Sequence, residues 1–273
     1  MSNQMKYAVV AAAEAGMSEP VLFRGDILAS AQKALDMGYA AIEFHARRSS
    51  ELDGDALQAF CEKTGFAVSA LATGLAKRVD GLNFIDDDAQ VRDAAVERVN
   101  GFIDLAARLG SGVILGSLRG MIPDKENREI QDRRFLECML CLLERAEQKG
   151  VDLLLEVINR YENNYLNTVA ETLAYIQPLN SDRVKVHVDT FHMNIEETDM
   201  AAAVESCGDK LGYIHVADNT RLAVGTGTIN FKAVLDAARR IGYTGYVSVE
   251  CLPVPDGEAA ARASLKALQG ICS

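Results

Sequence analysis

Residues 184–199 read VKVHVDTFHMNIEETD. The opening has a period of two. Val184, Val186 and Val188 alternate with Lys185, His187 and Asp189, as in a strand whose two faces meet different surroundings. A carboxylate, and an imidazole (His192) three residues later, arrive where the strand should stop. The same scheme, a short apolar run followed by a helical pattern, recurs along the chain. Strands are predicted at 7–13, 40–46, 67–74, 112–118, 151–157, 184–190, 211–218 and 246–252. Between them, segments such as VRDAAVERVNGFIDLAARLG and FKAVLDAARRIG space apolar residues three and four apart. Several end in a glycine (Gly38, Gly65, Gly110, Gly150, Gly242), which tolerates the left-handed stop. Eight βα units in one series predict an α/β fold, a (β/α)8 TIM barrel forming a single domain over 1–273. An open doubly wound sheet would carry a Gly-rich phosphate loop after its first strand. The segment AAEAGMSEPVLFRG (12–25) contains neither GxGxxG nor GxxxxGK(S/T).

A chain of 273 residues with 49% hydrophobic content suits one large barrel, and its net charge of -11 repels a phosphate backbone, so no nucleic-acid partner is expected. The six cysteines form no disulfide framework. Cys138 and Cys141 make a CxxC, but inside an amphipathic helical pattern, so they read as ordinary thiols of a reducing, cytoplasmic compartment. The run 7–13 imitates the apolar core of a signal peptide, yet it is short and meets Glu14, and it reads as the first strand. No run approaches the ~20 apolar residues of a membrane span, so no membrane partner is expected.

Barrel chemistry sits at the C-terminal ends of the strands. Four consecutive predicted strands finish with a metal-ligand type: Glu156, Asp189, His215 and Glu250, 33, 26 and 35 residues apart. Each interval is about one βα unit. The valine faces suit the outer helices, so the alternate faces, with His187, Asp189, Ser248 and Glu250, point inward. Three carboxylates converging in a dry interior repel one another and lose several kcal/mol of solvation each, a conflict that a divalent cation removes. The oxygen-rich set favours Mn²⁺, Mg²⁺ or Co²⁺ and admits zinc. The plainer alternative is that each acid simply pairs with a nearby Arg or Lys. Glu162, His192 and Arg221 follow in the loops above these strands, where a substrate would lie.

LEVINRYENNYLNT (155–168), VKVHVDTFHMNIEETD (184–199), HVADNTR (215–221) with GTGTINF (225–231), and GYVSVECL (245–252) together resemble the ketose 3-epimerases. These are the D-tagatose and D-psicose 3-epimerase group of the xylose isomerase-like TIM barrels. VSVECLPVP is similar to the branch acting on keto-sugar acids, the 5-keto-L-gluconate epimerase type. The resemblance implies a divalent metal, foremost Mn²⁺, on Glu156, Asp189, His215 and Glu250. It also implies substrate contacts from Glu162, His192 and Arg221, and a homodimer or homotetramer. The chain departs from the pattern in having no Trp near the substrate, or anywhere. Arg119 in GSLRG (116–120) is placed to fork onto a substrate carboxylate or phosphate, or to lie on the surface.

The expected reaction inverts C3 of a ketose or keto-sugar acid through a cis-enediolate. A proton leaves one face and returns to the other, with Glu156 and Glu250 as the acid/base pair. The alternative is an aldose–ketose isomerase of the same superfamily, of hydroxypyruvate or inosose isomerase type, moving a proton between C1 and C2. An AP endonuclease would need a His-rich metal cluster, and this chain has only four histidines. A non-catalytic sugar-binding barrel is the remaining reading.

Overall fold

The computed structural model describes residues 5–123 and 128–271. Nine parallel strands form one sheet: β1 (Lys6–Ala12), β2 (Phe23–Arg24), β3 (Ala41–His45), β4 (Ala67–Ala72), β5 (Gly112–Leu115), β6 (Leu153–Glu156), β7 (Val184–Asp189), β8 (Leu211–Val216) and β9 (Tyr246–Val249). β1 pairs with β3 on one side and with β9 on the other, with Ala8 opposite Ser248 and Val9 opposite Val249. That second pairing closes the sheet into the expected eight-stranded barrel within a single domain. The ninth strand, β2, is a two-residue addition in the loop after β1, pairing Phe23 with Ala11. It is too short to carry a period and was not foreseen.

Two apolar layers hold the barrel. The outer one lies between strands and helices and contains Val184, Val186, Val188, Val247 and Val249 together with Ile42, Phe44, Leu153 and Leu155. The inner one is small: Ala70, Ala72, Ile114, Leu154 and Tyr213. The alternating face of β7 therefore points inward as expected, with His187 and Asp189 fully buried. Lys185, at the opposite mouth, sends its Nζ to the Asp209 carbonyl at 2.8 Å. The CxxC lies on the helix Arg128–Lys149, where Cys138 is buried against the Phe84 carbonyl and Cys141 is exposed. Among the described residues no helix is long and apolar enough to cross a membrane.

Several strands stop earlier than their apolar runs suggest. β5 ends at Leu115, where Gly116 leaves the extended region and residues Ser117–Arg119 form a 3-10 turn. β7 ends at Asp189 because that residue caps the helix Thr190–Glu196, its Oδ1 accepting from the Phe191 N–H at 2.7 Å. His192 thus rides on the first turn of a helix that springs directly from the strand, which turns it back over the barrel mouth.

Candidate active site

Glu156 ends β6, Asp189 ends β7, His215 is the penultimate residue of β8, and Glu250 follows β9 directly. The Glu250 N–H still bonds the Val216 carbonyl at 3.2 Å, so it stays in the barrel wall. One ligand atom from each of the four lies within 4.8 Å of all the others. The four side chains named from strand ends therefore converge on one point. Above it is a cavity of about 180 Å³ whose lining also includes His45, Gly116, Glu162, His192 and Arg221.

Arg221 enters this cluster from the loop after β8. Its Nη1 donates to Asp189 Oδ2 at 2.5 Å and its Nη2 to Glu250 Oε2, while its guanidinium lies 4.8 Å from the centre of the Phe191 ring. Its backbone has φ 60°, unusual for a non-glycine residue. That conformation is held from both sides: the Arg221 N–H donates to the Asp218 carbonyl and its own carbonyl accepts from Leu252. Buried Asp218 in turn accepts from the Gly225 and Ile229 N–H groups, and so shapes the whole loop.

His192 is oriented by Asn159. The Asn159 Oδ1 accepts from the Tyr161 and Glu162 N–H groups, which fixes the amide and turns its Nδ2 toward Glu162 Oε1 at 3.0 Å and His192 Nδ1 at 2.6 Å. Nδ1 must then accept, so the His192 proton sits on Nε2, which faces Glu156 and Asp189 at 3.9 Å each. Burial lowers the His192 pKa, in keeping with a neutral ring that offers one N–H to the cavity.

The electrostatics of the acids are unequal. Burial, and then the neighbouring Glu250 charge, push the Glu156 carboxyl up to about 8. Burial acts in the same sense on Asp189, but Arg221, His192 and His215 outweigh it and hold that carboxyl below the usual range. For His215 burial favours the neutral ring; Glu43 and Glu250 reverse this and raise it well above an ordinary histidine.

The residues fit a divalent cation on three counts. Three carboxylates and one imidazole are a hard, oxygen-rich donor set. The Nδ1 of fully buried His215 makes no hydrogen bond, although Glu250 Oε2, Asp189 Oδ2 and Glu156 Oε1 lie 3.2, 3.8 and 3.9 Å away. Once that nitrogen is without a proton, its lone pair points into a cluster of carboxylates, where a metal would use it. Finally, Gly116 leaves room for the Glu156 head, since a Cβ there would lie 2.3 Å from Glu156 Oε2.

Arg119 does not belong to this cavity, and neither of the roles considered for it fits. It is fully buried, and its guanidinium donates to the carbonyls of Tyr165 (2.9 Å), Leu166 (3.3 Å), Gly116 (3.4 Å) and Glu156. It is a clamp joining the loops after β5 and β6, with its forked donors turned to main-chain oxygens. Sequence reasoning missed Asn159, Gly116, Asp218 and Glu43. A local signal existed for Asn159, which stands two and three residues before the N–H groups it caps. Glu43 shares the inward face of β3 with His45, and that alternation was available.

The chain belongs to the xylose isomerase-like TIM barrel family, whose sequence model matches residues 31–271. Within that family it is similar to proteins named as sugar epimerases. An L-ribulose 3-epimerase of Mesorhizobium japonicum is 35% identical over 218 residues, 79% of this chain and 72% of the relative. A 3-dehydro-D-guloside 4-epimerase of Escherichia coli is 30% identical over 244 residues, 86% of this chain and 90% of the relative. A solved L-ribulose 3-epimerase structure superposes with a TM-score of 0.83 at 27% identity, covering 98% of this chain and 94% of that one.

Proposed function

We propose that this chain is a divalent-metal-dependent carbohydrate epimerase that inverts C3 of a ketose or keto-sugar acid through a cis-enediolate. The observation that carries this reading is the convergence of Glu156, Asp189, His215 and Glu250 within 4.8 Å. The family, with relatives named 3-epimerases, supports it. We take residues 1–273 as one catalytic domain, working in the cytoplasm as a homodimer or homotetramer.

Glu156, Asp189, His215 and Glu250 would hold the ion, most simply Mn²⁺, with Co²⁺, Mg²⁺ or Zn²⁺ as alternatives. When bound, it supplies the positive charge that polarises a sugar carbonyl and acidifies the adjacent C–H. Glu156 and Glu250 take and return the C3 proton. They stand on strands separated by β7 and β8, so they reach a sugar lying across the barrel axis from two sides. Inversion needs one acid protonated while the other is not. The two carboxyls start from different surroundings, since burial raises Glu156 in the metal-free protein whereas Glu250 is paired with Arg221. The His192 Nε2–H donates to a sugar oxygen, Glu162 accepts a hydroxyl proton at the cavity rim, and Arg221 holds Glu250 and Asp189 in place. Together they orient O1 to O3 so that the C3 hydrogen faces a carboxylate.

A panel of free ketoses, keto-sugar acids and ketose phosphates, assayed on Mn²⁺-loaded protein with and without EDTA, tests this. The expected result is a C3 epimer formed only when metal is present. Turnover that survives EDTA would contradict the reading, and an aldose product would replace it with the isomerase alternative.

A further inference from the structure

Glu43 sits midway along β3, fully buried, and the reaction just described makes no use of it. An unpaired carboxylate there would cost several kcal/mol of lost solvation. Three donors meet it instead. Its Oε2 faces His215 Nε2 at 2.8 Å and accepts from the Tyr213 hydroxyl at 3.0 Å, and its Oε1 faces His45 Nε2 at 2.8 Å. The Ser69 hydroxyl, 2.7 Å from the Tyr213 oxygen, backs this group from below. A carboxylate that faces two imidazole nitrogens and a hydroxyl acts as the acceptor for all three. The proton on His215 Nε2 therefore belongs to that contact, and Nδ1, which makes no hydrogen bond, is the nitrogen turned toward Glu156, Asp189 and Glu250. The same carboxylate holds His45 at the cavity wall, with Nε2 3.7 Å from Glu250 Oε1.

We infer that Glu43 is a positioning residue for the metal centre: it fixes the tautomer and ring orientation of His215, so that Nδ1 is presented to the cation, and steadies His45 beside Glu250. The inference rests on the reading of the four strand-end residues as a metal site. Glu43→Gln keeps the volume and removes the second acceptor oxygen. Its NH₂ group must then face an imidazole N–H, donor against donor, and one ring must turn or change tautomer.

Titration calorimetry of the full chain with Mn²⁺ tests this. Glu43→Gln is expected to weaken binding by ~10- to 100-fold in protein that is still fully folded at the assay temperature, the usual effect of losing a group that orients a ligand. A role confined to stability would lower the metal-free melting temperature and leave the Mn²⁺ affinity of the folded variant unchanged. On the unaltered protein loaded with Zn²⁺, long-range ¹H–¹⁵N spectra of its four histidines should place the His215 proton on Nε2, which decides the matter if the variant fails to fold. Equal Mn²⁺ affinity in the variant, or a proton on His215 Nδ1, overturns the role of Glu43 alone. Absence of Mn²⁺ binding by the unaltered protein overturns the metal-centre reading, and this inference with it.

Discussion

The two halves of the barrel end their strands differently. β6 to β9 deliver Glu156, Asp189, His215 and Glu250 to one point. β1, β4 and β5 end in Ala12, Ala72 and Leu115, and β3 in His45. The first half contributes wall to the cavity, including Ala72, Ile114 and Gly116; the second contributes charge. On the proposed reading, proton transfer and cation binding fall to one contiguous arc. Apart from His45 and Glu43 on β3, the first half supplies mostly wall. Substitutions in the two halves should therefore fail in different ways.

The largest effect belongs to the charged arc. Glu156→Gln and Glu250→Gln are each expected to lower turnover by ~10³-fold, the range for a positioned acid or base. The metal-free Glu156→Gln protein should keep its melting temperature, because that change removes a buried like-charge conflict, whereas Glu250→Gln also weakens the pairing with Arg221 and should lower it. Steady-state kinetics and thermal melts check both; a loss below tenfold in either variant would remove it from the acid/base pair.

Gly116 sharpens the contrast because it lies in the first half and serves the second. In Gly116→Ala the new methyl carbon falls on Glu156 Oε2. The displaced carboxylate should weaken Mn²⁺ binding by ~10-fold or more, as misplacing a ligand does, which calorimetry would read. Unchanged affinity would mean that Glu156 has freedom to rotate away.

A pure wall residue should behave otherwise. Ala72→Val adds bulk to the cavity lining, and KM is expected to rise ~10-fold with kcat nearly unchanged, the pattern for lost uniform binding. A collapse of kcat instead would blur the division between the halves.

The smallest effect is on stability as a function of pH. The Glu156 carboxyl is raised to about 8, and His215 is raised well above its ordinary value. In both, the folded protein holds a proton more tightly than the unfolded chain. Their contribution is present at low pH and is lost as pH rises: through 4.5 to 8 for Glu156, and above 6.5 for His215. The metal-free melting temperature should therefore fall by a few degrees between pH 6 and 9. Bound metal replaces those protons and should flatten the slope. A metal-free slope of the opposite sign would contradict the electrostatics of the arc.

Most of the fold was legible because the strands are buried and patterned. Alternation in 184–190 told inside from outside, and the βα repeat specified closure. The strand-end acids were legible for the same reason. What escaped depends on contacts distant in sequence. Arg119 meets carbonyls 37 to 47 residues away, which no local pattern marks, so its burial could not be read. Asp218 and Gly116 matter through backbone geometry alone. Glu43 escaped for another reason: attention to strand ends passes over a carboxylate in mid-strand, although Ile42 and Phe44 on either side mark it as inward-facing.

The central claim is that this arc moves a proton at the third carbon of a ketose. Turning over an accepted ketose with Mn²⁺-loaded protein in D₂O, and locating the deuterium by NMR, tests it most directly. The account predicts deuterium at C3 in both epimers. Deuterium at C1 or C2, with C3 still protonated, would contradict it.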